Sequence, residues 1–260
     1  PDFGIIGFDC LQPVTRLAYV YFCLNEDWAV YYRDNMKKVR HCAQYVATGH
    51  PSLDLTCGGM AGRGAEKYVI YAPHFSYFDP ARPNDCYIIG TFDWSGRAIL
   101  EYAEAHPEVK WVFKPHPILR KRLVEVGTMT SDEADDYYRR WAKIAVVSTD
   151  ANYRDLFVNS RVMITDSASF LPEYGSMGKP VIRLISRYFK HVPPRAAANL
   201  YDSYYQVHDI PGMREVFSTV IEKGLDPNRE TRLRLVREAG LGESNASQNI
   251  MRYARSLFNR

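Results

Sequence analysis

From Lys67 onward the chain alternates short β-rich runs with longer segments of helical periodicity, and this alternation restricts the fold more than any other feature. Strands separated by helices at this spacing are typical of a parallel sheet covered on both faces. We therefore predict an α/β fold with a Rossmann-like, doubly wound parallel sheet. The predicted strands cover residues 68–71, 109–113, 144–147, 162–165 and 181–184. The predicted helices cover residues 96–105, 131–141, 152–158, the segment after Ser167, 213–223, 229–238 and 247–257.

The first 60 residues have a different pattern. Residues 11–48 place aromatic and aliphatic side chains at near-helical spacing with few breakers, which predicts a helical N-terminal lead-in. Residues 48–54 predict a turn, and the glycine-rich residues 57–64 predict a linker. We place a boundary near residue 60, with a lead-in over residues 1–60 and a nucleotide-binding domain over residues 61–260. Because the sequence opens on Pro1, we expect a fragment or a processed form.

Composition excludes several classes of protein. With 46% hydrophobic and 24% charged residues, the chain has the composition of a globular protein, and no apolar run approaches the roughly 20 residues that span a bilayer. Five scattered cysteines without a Cys-x-x-Cys pair predict no metal site and fit a reducing cytoplasm. A net charge of +3 is too small to indicate a nucleic-acid partner. No cofactor is predicted.

Two basic clusters have two interpretations. One is residues 120–122, and the other is the segment 229–260, which carries seven arginines against three glutamates. Such clusters are commonly solvated helix faces, but they also fit peripheral contact with the inner face of a plasma membrane.

A histidine motif follows the predicted strand at 109–113. Lys114 and His116, in the sequence Lys-Pro-His-Pro, stand where a buried strand ends, and the two prolines restrict the backbone. A histidine there can donate a hydrogen bond to phosphate or a proton to a leaving group, and lysine adds positive charge. A structural turn with a solvated lysine explains the same residues.

Small polar residues follow the strand at 162–165. Thr165, Asp166, Ser167 and Ser169 stand at the predicted start of a helix, where backbone N–H groups and the helix dipole favour a diphosphate. Plain N-capping by Asp166 or Ser167 is the alternative. His74, in Tyr-Ala-Pro-His, follows the first strand of the domain and is predicted to line the same cleft, or else to be structural.

Taken in order, four motifs resemble the CDP-glycerol:poly(glycerophosphate) glycerophosphotransferase family. They are Thr-Gly-His-Pro-Ser-Leu-Asp at 48–54, Tyr-Ala-Pro-His at 71–74, Phe-Lys-Pro-His-Pro at 113–117 and Ile-Thr-Asp-Ser-Ala-Ser-Phe at 164–170. The resemblance implies a GT-B architecture of two Rossmann-like domains, of which this chain holds the C-terminal, donor-binding half. It further implies that His116 lies beside the donor diphosphate as a catalytic residue, and that Thr165, Ser167 and Ser169 bind phosphate.

The resemblance also implies a function. Family members transfer an alditol phosphate from a CDP-activated donor to a polymer or lipid-linked acceptor of teichoic-acid or capsule type. The His-Gly motif that carries the family's acceptor-activating histidine is missing from residues 1–60. Two alternatives therefore stand: a GT-B glycosyltransferase that uses a nucleotide sugar, or a donor-binding module that is inactive without a first domain.

Overall fold

A computed structural model describes residues 19–37, 43–57, 68–76, 88–150, 153–188, 200–239, 241 and 245–258. The N-terminal elements are β1 (Val20–Cys23), α1 (Glu26–Lys37), β2 (Gln44–Ala47) and α2 (Pro51–Cys57). The main domain continues with β3 (Tyr68–Ala72), α3 (Phe92–Ala105), β4 (Trp111–Phe113), α4 (Leu119–Glu125), α5 (Ser131–Ile144), β5 (Ala145–Val147), α6 (Arg154–Asn159), β6 (Ser160–Thr165), α7 (Phe170–Gly175) and β7 (Val181–Leu184). The last elements are β8 (Tyr205–Val207), α8 (Ile210–Phe217) with a π-helical turn at Ser218–Glu222, α9 (Arg229–Glu238) and α10 (Ala246–Phe258).

Six parallel strands form the main sheet in the order β5-β4-β3-β6-β7-β8. Counted within this sheet, the order is 3-2-1-4-5-6, which is the doubly wound order of the Rossmann fold. The predicted α/β class and parallel sheet are confirmed. The strand order reverses between β3 and β6, and ligands of such sheets bind outside the carboxyl ends of the strands at that reversal.

Side chains alternate between two hydrophobic clusters, one on each face of the sheet. Tyr71 and Ile164 face one cluster, whereas Ile70 and Met163 face the other, and all four are fully buried. Strands buried on both faces must be apolar throughout, which explains the uninterrupted Val-Ile-Tyr run of β3. The helices that cover them are amphipathic, and α5 begins with a capping box in which Thr130 and Glu133 exchange hydrogen bonds.

The helical lead-in was only partly correct. The predicted helix is present as α1, but β1 and β2 flank it and pair in parallel. Strands of four residues with aromatic side chains are too short to show a period of two, so they were assigned to the helix that the surrounding pattern predicts. Residues 51–54, predicted as a turn, belong to α2, whose first residue is Pro51, a favoured residue at that position. Short α4 and β8 were not predicted either.

Helix α10 packs on the N-terminal β1-α1-β2-α2 unit. The carboxylate of Asp54 accepts hydrogen bonds from the backbone N–H groups of Ala246 and Ser247, at 2.8 and 2.7 Å, and thereby caps the start of α10. Asn249 donates to the carbonyl oxygen of Thr48, and the rings of Phe22 and Tyr253 meet edge to face. Cys57, the first residue of the predicted linker, ends α2, and the rest of that linker and the boundary near residue 60 lie outside the described part of the chain.

No described helix combines the length and the apolar character that crossing a membrane requires. The basic cluster at residues 120–122 lies on α4, where Arg120 pairs with Asp135 at 2.6 Å and both Lys121 and Arg122 approach Glu125. These contacts are those of a solvated helix face.

Candidate functional site

The loops after β3, β4 and β6 meet at the carboxyl edge of the sheet, where the strand order reverses. The backbone N–H of His74, after β3, donates to the carboxylate of Asp166, after β6, at 2.6 Å. The backbone N–H of His116, after β4, donates to the carbonyl oxygen of Pro73 at 3.1 Å. The imidazole centroids of His74 and His116 are 5.7 Å apart. The structure therefore brings three of the predicted site residues into one cluster.

Asp166 holds two loops together. One carboxylate oxygen accepts from His74, and the other accepts from the backbone N–H and the hydroxyl of Thr91, at 2.7 and 2.9 Å. The side chain is buried, and burial raises the pKa of this carboxyl to about 6 although all three hydrogen bonds act in the opposite direction. An ionised carboxylate has no proton to donate to phosphate, so a part for Asp166 in phosphate binding would have to be indirect.

Thr165 is likewise engaged inside the fold. Its fully buried hydroxyl donates to the carbonyl oxygen of Ala72 at 2.7 Å and accepts from the backbone N–H of Ser167 at 3.0 Å. The side chain therefore ties β6 to β3 and shapes the turn that follows. This contact was not predicted from the sequence, because the pairing of β6 with β3 depends on the tertiary fold.

Ser167 and Ser169 point their hydroxyl groups at each other, with 3.1 Å between the two Oγ atoms. Ser167 is buried, whereas Ser169 is exposed. Helix α7 begins only at Phe170, after a turn, and has six residues. The serines lie at the sheet edge in a turn before this short helix.

Three rings pack together at the ends of β3 and β4. The ring of Phe75 lies 4.4 Å from that of His74 and 4.3 Å from that of His116, measured between centroids. Burial lowers the pKa of both imidazoles, and repulsion from His116 in its protonated form lowers that of His74 further, to about 3. Both histidines are therefore neutral at pH 7.

Lys114 lies deeper than the sequence suggested. Its ammonium donates to the carbonyl oxygen of Asp150 at 2.8 Å and sits 5.3 Å from the centroid of the Tyr153 ring. The residue is buried, and this burial lowers its pKa. Tyr153 in turn donates to Glu173 at 3.0 Å. The positive charge is thus anchored beside the cleft rather than freely solvated.

Arg183 in β7 was not singled out from the sequence. Its guanidinium carbon lies over the ring of Tyr201, 4.2 Å from the ring centroid. Arg183 also lines a cavity of about 20 Å³ together with Asp166 and Ser186. Burial lowers the pKa of Arg183. The available signal was a single charge inside an otherwise apolar strand, Val-Ile-Arg-Leu.

No group of three or more His, Cys, Asp or Glu residues within the described ranges is arranged to hold a metal ion.

The fold is similar to that of several solved structures, whereas no family model and no curated protein sequence matches the chain. One is UDP-GlcNAc 2-epimerase from Neisseria meningitidis bound to UDP-GlcNAc, with a TM-score of 0.54 and 17% identity over 95% of this chain and 63% of that chain. A second is S. aureus MnaA with UDP, with a TM-score of 0.54 and 13% identity over 95% and 61%. A third is the wall teichoic acid polymerase TagF, as a histidine-to-asparagine variant soaked with CDPG, with a TM-score of 0.53 and 11% identity over 92% and 56%.

These neighbours have the GT-B fold, and the chain shares it over the part that aligns. At these identities the likeness shows the fold alone. The chain spans about three fifths of the length of the structures it matches, at 63% and 61% for the two UDP complexes. Because both a teichoic acid polymerase and UDP-GlcNAc 2-epimerases are similar in fold, the likeness supports the architecture without separating the activities.

Proposed function

We propose that this chain binds a nucleotide-activated donor at the carboxyl edge of its six-stranded sheet, as part of a transferase. The transferred unit is a glycerol phosphate or related alditol phosphate, the donor is CDP-activated, and the acceptor is a growing cell-surface polymer or its lipid-linked precursor. The observation that carries this proposal is the meeting of the loops after β3, β4 and β6 at the strand-order reversal, with His74 and His116 side by side.

The proposed reaction is attack by an acceptor hydroxyl on the β-phosphorus of the donor. The new bond joins the acceptor oxygen to that phosphorus, the bond between the β-phosphorus and the bridging oxygen breaks, and CMP leaves. The hydroxyl proton passes to a base that we do not assign among the described residues. His116 stabilises the charge that grows on the leaving phosphate, a contribution typical of preorganised donors in a partly dry site. Ser167 and Ser169 assist at the phosphate.

The fold neighbours support a diphosphonucleotide ligand but not one base. TagF was soaked with CDPG, and the two other neighbours hold UDP-GlcNAc or UDP. The UDP complexes favour the second candidate, a GT-B glycosyltransferase in which the acceptor attacks a sugar carbon and a nucleoside diphosphate leaves. A third candidate is a donor-binding module that needs another domain for turnover.

Calorimetry with CDP, UDP, GDP and ADP tests the donor. We expect CDP and CDP-glycerol to bind more tightly than the other three nucleotides. Binding of UDP as tight as that of CDP, or tighter, would favour transfer of a sugar over transfer of an alditol phosphate. Absence of binding by all four nucleotides would overturn the proposal. Release of CMP from CDP-glycerol in the presence of a glycerophosphate acceptor then separates an active transferase from a binding module.

The acceptor side of the proposal includes peripheral contact with a membrane. The outer face of α10 exposes Arg252 and Arg255 beside Met251. Basic and apolar side chains on one helix face suit anionic lipid surfaces. Sedimentation with vesicles of phosphatidylglycerol, compared with vesicles of phosphatidylcholine, tests this contact. Equal amounts of protein sedimenting with both kinds of vesicle would refute the contact with an anionic membrane.

A further inference from the structure

The Ser76 hydroxyl determines which nitrogen of His74 carries the proton. The Ser76 Oγ accepts hydrogen bonds from the backbone N–H groups of Ile89 and Gly90, both at 3.0 Å. A hydroxyl oxygen has two acceptor positions and one proton, so both acceptor positions are filled. The remaining contact of this oxygen, 2.9 Å to the Nδ1 of His74, must therefore be a donation from serine to histidine.

A second donor reaches the same nitrogen. The backbone N–H of Ser76 also points at the Nδ1 of His74, at 3.1 Å. A nitrogen that accepts twice carries a lone pair and no proton, so a neutral His74 carries its proton on Nε2. The backbones of Gly90 and Ser76 approach closely here, since a Cβ at Gly90 would lie 1.9 Å from the carbonyl oxygen of Ser76.

His116 has the same arrangement, with one donor. The backbone N–H of Ile118 points at its Nδ1 at 3.3 Å. The protonated nitrogen of a neutral His116 is then Nε2 as well. Phe75 packs against both rings and limits their rotation. Two imidazoles with the same tautomer thus stand 5.7 Å apart at the edge of the sheet.

We propose that His74 and His116 act as a pair of neutral Nε2–H donors that bind one anionic phosphate group between them and do not exchange protons with it. This inference rests on the proposed function for the identity of the ligand, the diphosphate of the donor. It changes the chemistry expected of the site, because a neutral imidazole stabilises charge by hydrogen bonding and is too weak an acid to protonate a leaving group.

Two physical arguments favour the neutral pair over an imidazolium. Protonation of His74 would place N–H groups from serine and histidine against each other at Nδ1. Burial also lowers the pKa of His74 to about 3, and repulsion from His116, should that ring be protonated, is the second cause. The two histidines also follow the strands next to the strand-order reversal, where ligands of doubly wound sheets bind.

The first test reads the tautomers directly. In long-range ¹H–¹⁵N spectra of the ¹⁵N-histidine-labelled chain at pH 7, we expect His74 and His116 to show the pattern of a proton on Nε2 alone. His106 is an internal control with the opposite arrangement, because its Nδ1 contacts the carbonyl oxygen of Tyr102 at 2.7 Å and must carry a proton there. An Nδ1–H pattern or an imidazolium at His74 would overturn the proposal.

The second test titrates inorganic pyrophosphate and CDP into the labelled protein. We expect the Nε2 resonances of both His74 and His116 to move with a common dissociation constant, while those of His106 stay in place. If CDP binds without moving either resonance, the pairing is wrong and the proposed function survives. If pyrophosphate moves both resonances but no transfer of any unit is found, the pairing stands and the proposed function fails.

Matched variants separate the two ring nitrogens. The amide nitrogen of glutamine occupies about the place of Nε2, and that of asparagine about the place of Nδ1. We expect His74→Asn to weaken pyrophosphate binding by roughly tenfold or more, as for a lost hydrogen bond to a charged group. His74→Gln should weaken it by less than about threefold, because it keeps a donor in place. Equal losses in both variants, with both proteins folded, would contradict an Nε2–H contact.

Discussion

Two neighbouring parts of the sheet edge contain similar polar residues and use them differently. After β6, the side chains of Thr165 and Asp166 form hydrogen bonds with β3, with the loop after it, with the start of α3 and with the turn before α7. After β3 and β4, the protein's own donors occupy the Nδ1 atoms of His74 and His116, and we propose that their Nε2 atoms bind a ligand. Thr165 and Asp166 thus hold the sheet edge together, whereas His74 and His116 are held in place by it.

Neighbouring residues at the sheet edge should therefore differ in what their substitution changes: the stability of the fold in one group, and ligand binding or turnover in the other. A polar group whose hydrogen bonds are all internal should cost folding free energy when removed. A group that is held in place by the fold but faces outward should cost binding or turnover instead. Substitutions in the two groups therefore test this division.

Asp166→Ala should have the largest effect, and on stability. The substitution leaves the backbone N–H of His74 and the N–H of Thr91 without acceptors in a buried position. Each buried donor that loses its acceptor costs about 1–3 kcal/mol, so we expect the free energy of unfolding to decrease by several kcal/mol. Urea denaturation followed by circular dichroism measures it.

The control for Asp166 is Asp136→Ala. Asp136 is exposed on α5 and pairs with Arg139 at 2.8 Å, three residues away. An exposed pair of this kind is worth less than about 1 kcal/mol. A similar small loss for Asp166→Ala would show that its three contacts do not support the edge.

His116→Ala should have the second largest effect, and on turnover by the complete enzyme. The backbone hydrogen bond from His116 to Pro73 remains, and the half-buried ring is not part of the hydrophobic core, so the fold should survive. Removal of a preorganised donor to developing charge typically lowers kcat by about 10²–10³. Steady-state rates with all substrates saturating measure the loss.

His116→Gln provides the matched comparison, since it keeps a donor near the position of Nε2 and should retain more turnover than His116→Ala. If His116→Ala keeps a turnover rate within about twofold of the native rate, Lys-Pro-His-Pro is only a structural turn. Unfolding of the variant would lead to the same conclusion, because it would place His116 with the residues that build the edge.

The sequence predicted the frame of this site better than its internal chemistry. The strand of residues 181–184 and the helix of residues 229–238 were located as the structure has them, because the β-rich run of the first and the helical spacing of the second are local signals. The contact between Asp166 and His74 spans 92 residues, and no local pattern encodes it. The tautomer of His74 depends on Ser76 and on the backbone of Ile89 and Gly90, which only the folded chain brings together.

His74→Gln should change the pH dependence of stability by an intermediate amount. In the unfolded chain histidine protonates below about pH 6.5, whereas folded His74 stays neutral to about pH 3. The unfolded state therefore binds more protons between these values, and the native protein loses up to about 1.4 kcal/mol of stability per pH unit as the pH falls from 6.5. The glutamine variant lacks this loss, so its stability relative to the native protein should rise with acidity.

Urea titrations at pH 7, 6 and 5 measure that difference. Asp166 contributes with the opposite sign, because its raised folded pKa of about 6 favours the folded state as the pH falls. Both proteins contain Asp166, so its contribution cancels to first order in the comparison. A difference between the two proteins that does not change from pH 7 to pH 5 would mean that His74 is not held neutral by burial.

Ser167→Ala should have the smallest effect, and it tests the boundary of the comparison. Among the described residues its hydroxyl contacts only the hydroxyl of Ser169, and the backbone N–H groups of the turn remain after substitution. We expect a change of less than about 1 kcal/mol in stability and a loss of turnover below about tenfold. Ser169→Ala should do still less, because Ser169 is exposed. If Ser167→Ala instead equals His116→Ala in its effect on turnover, the serine turn presents the main anion contact, and the loop after β6 would have to be counted with the histidines.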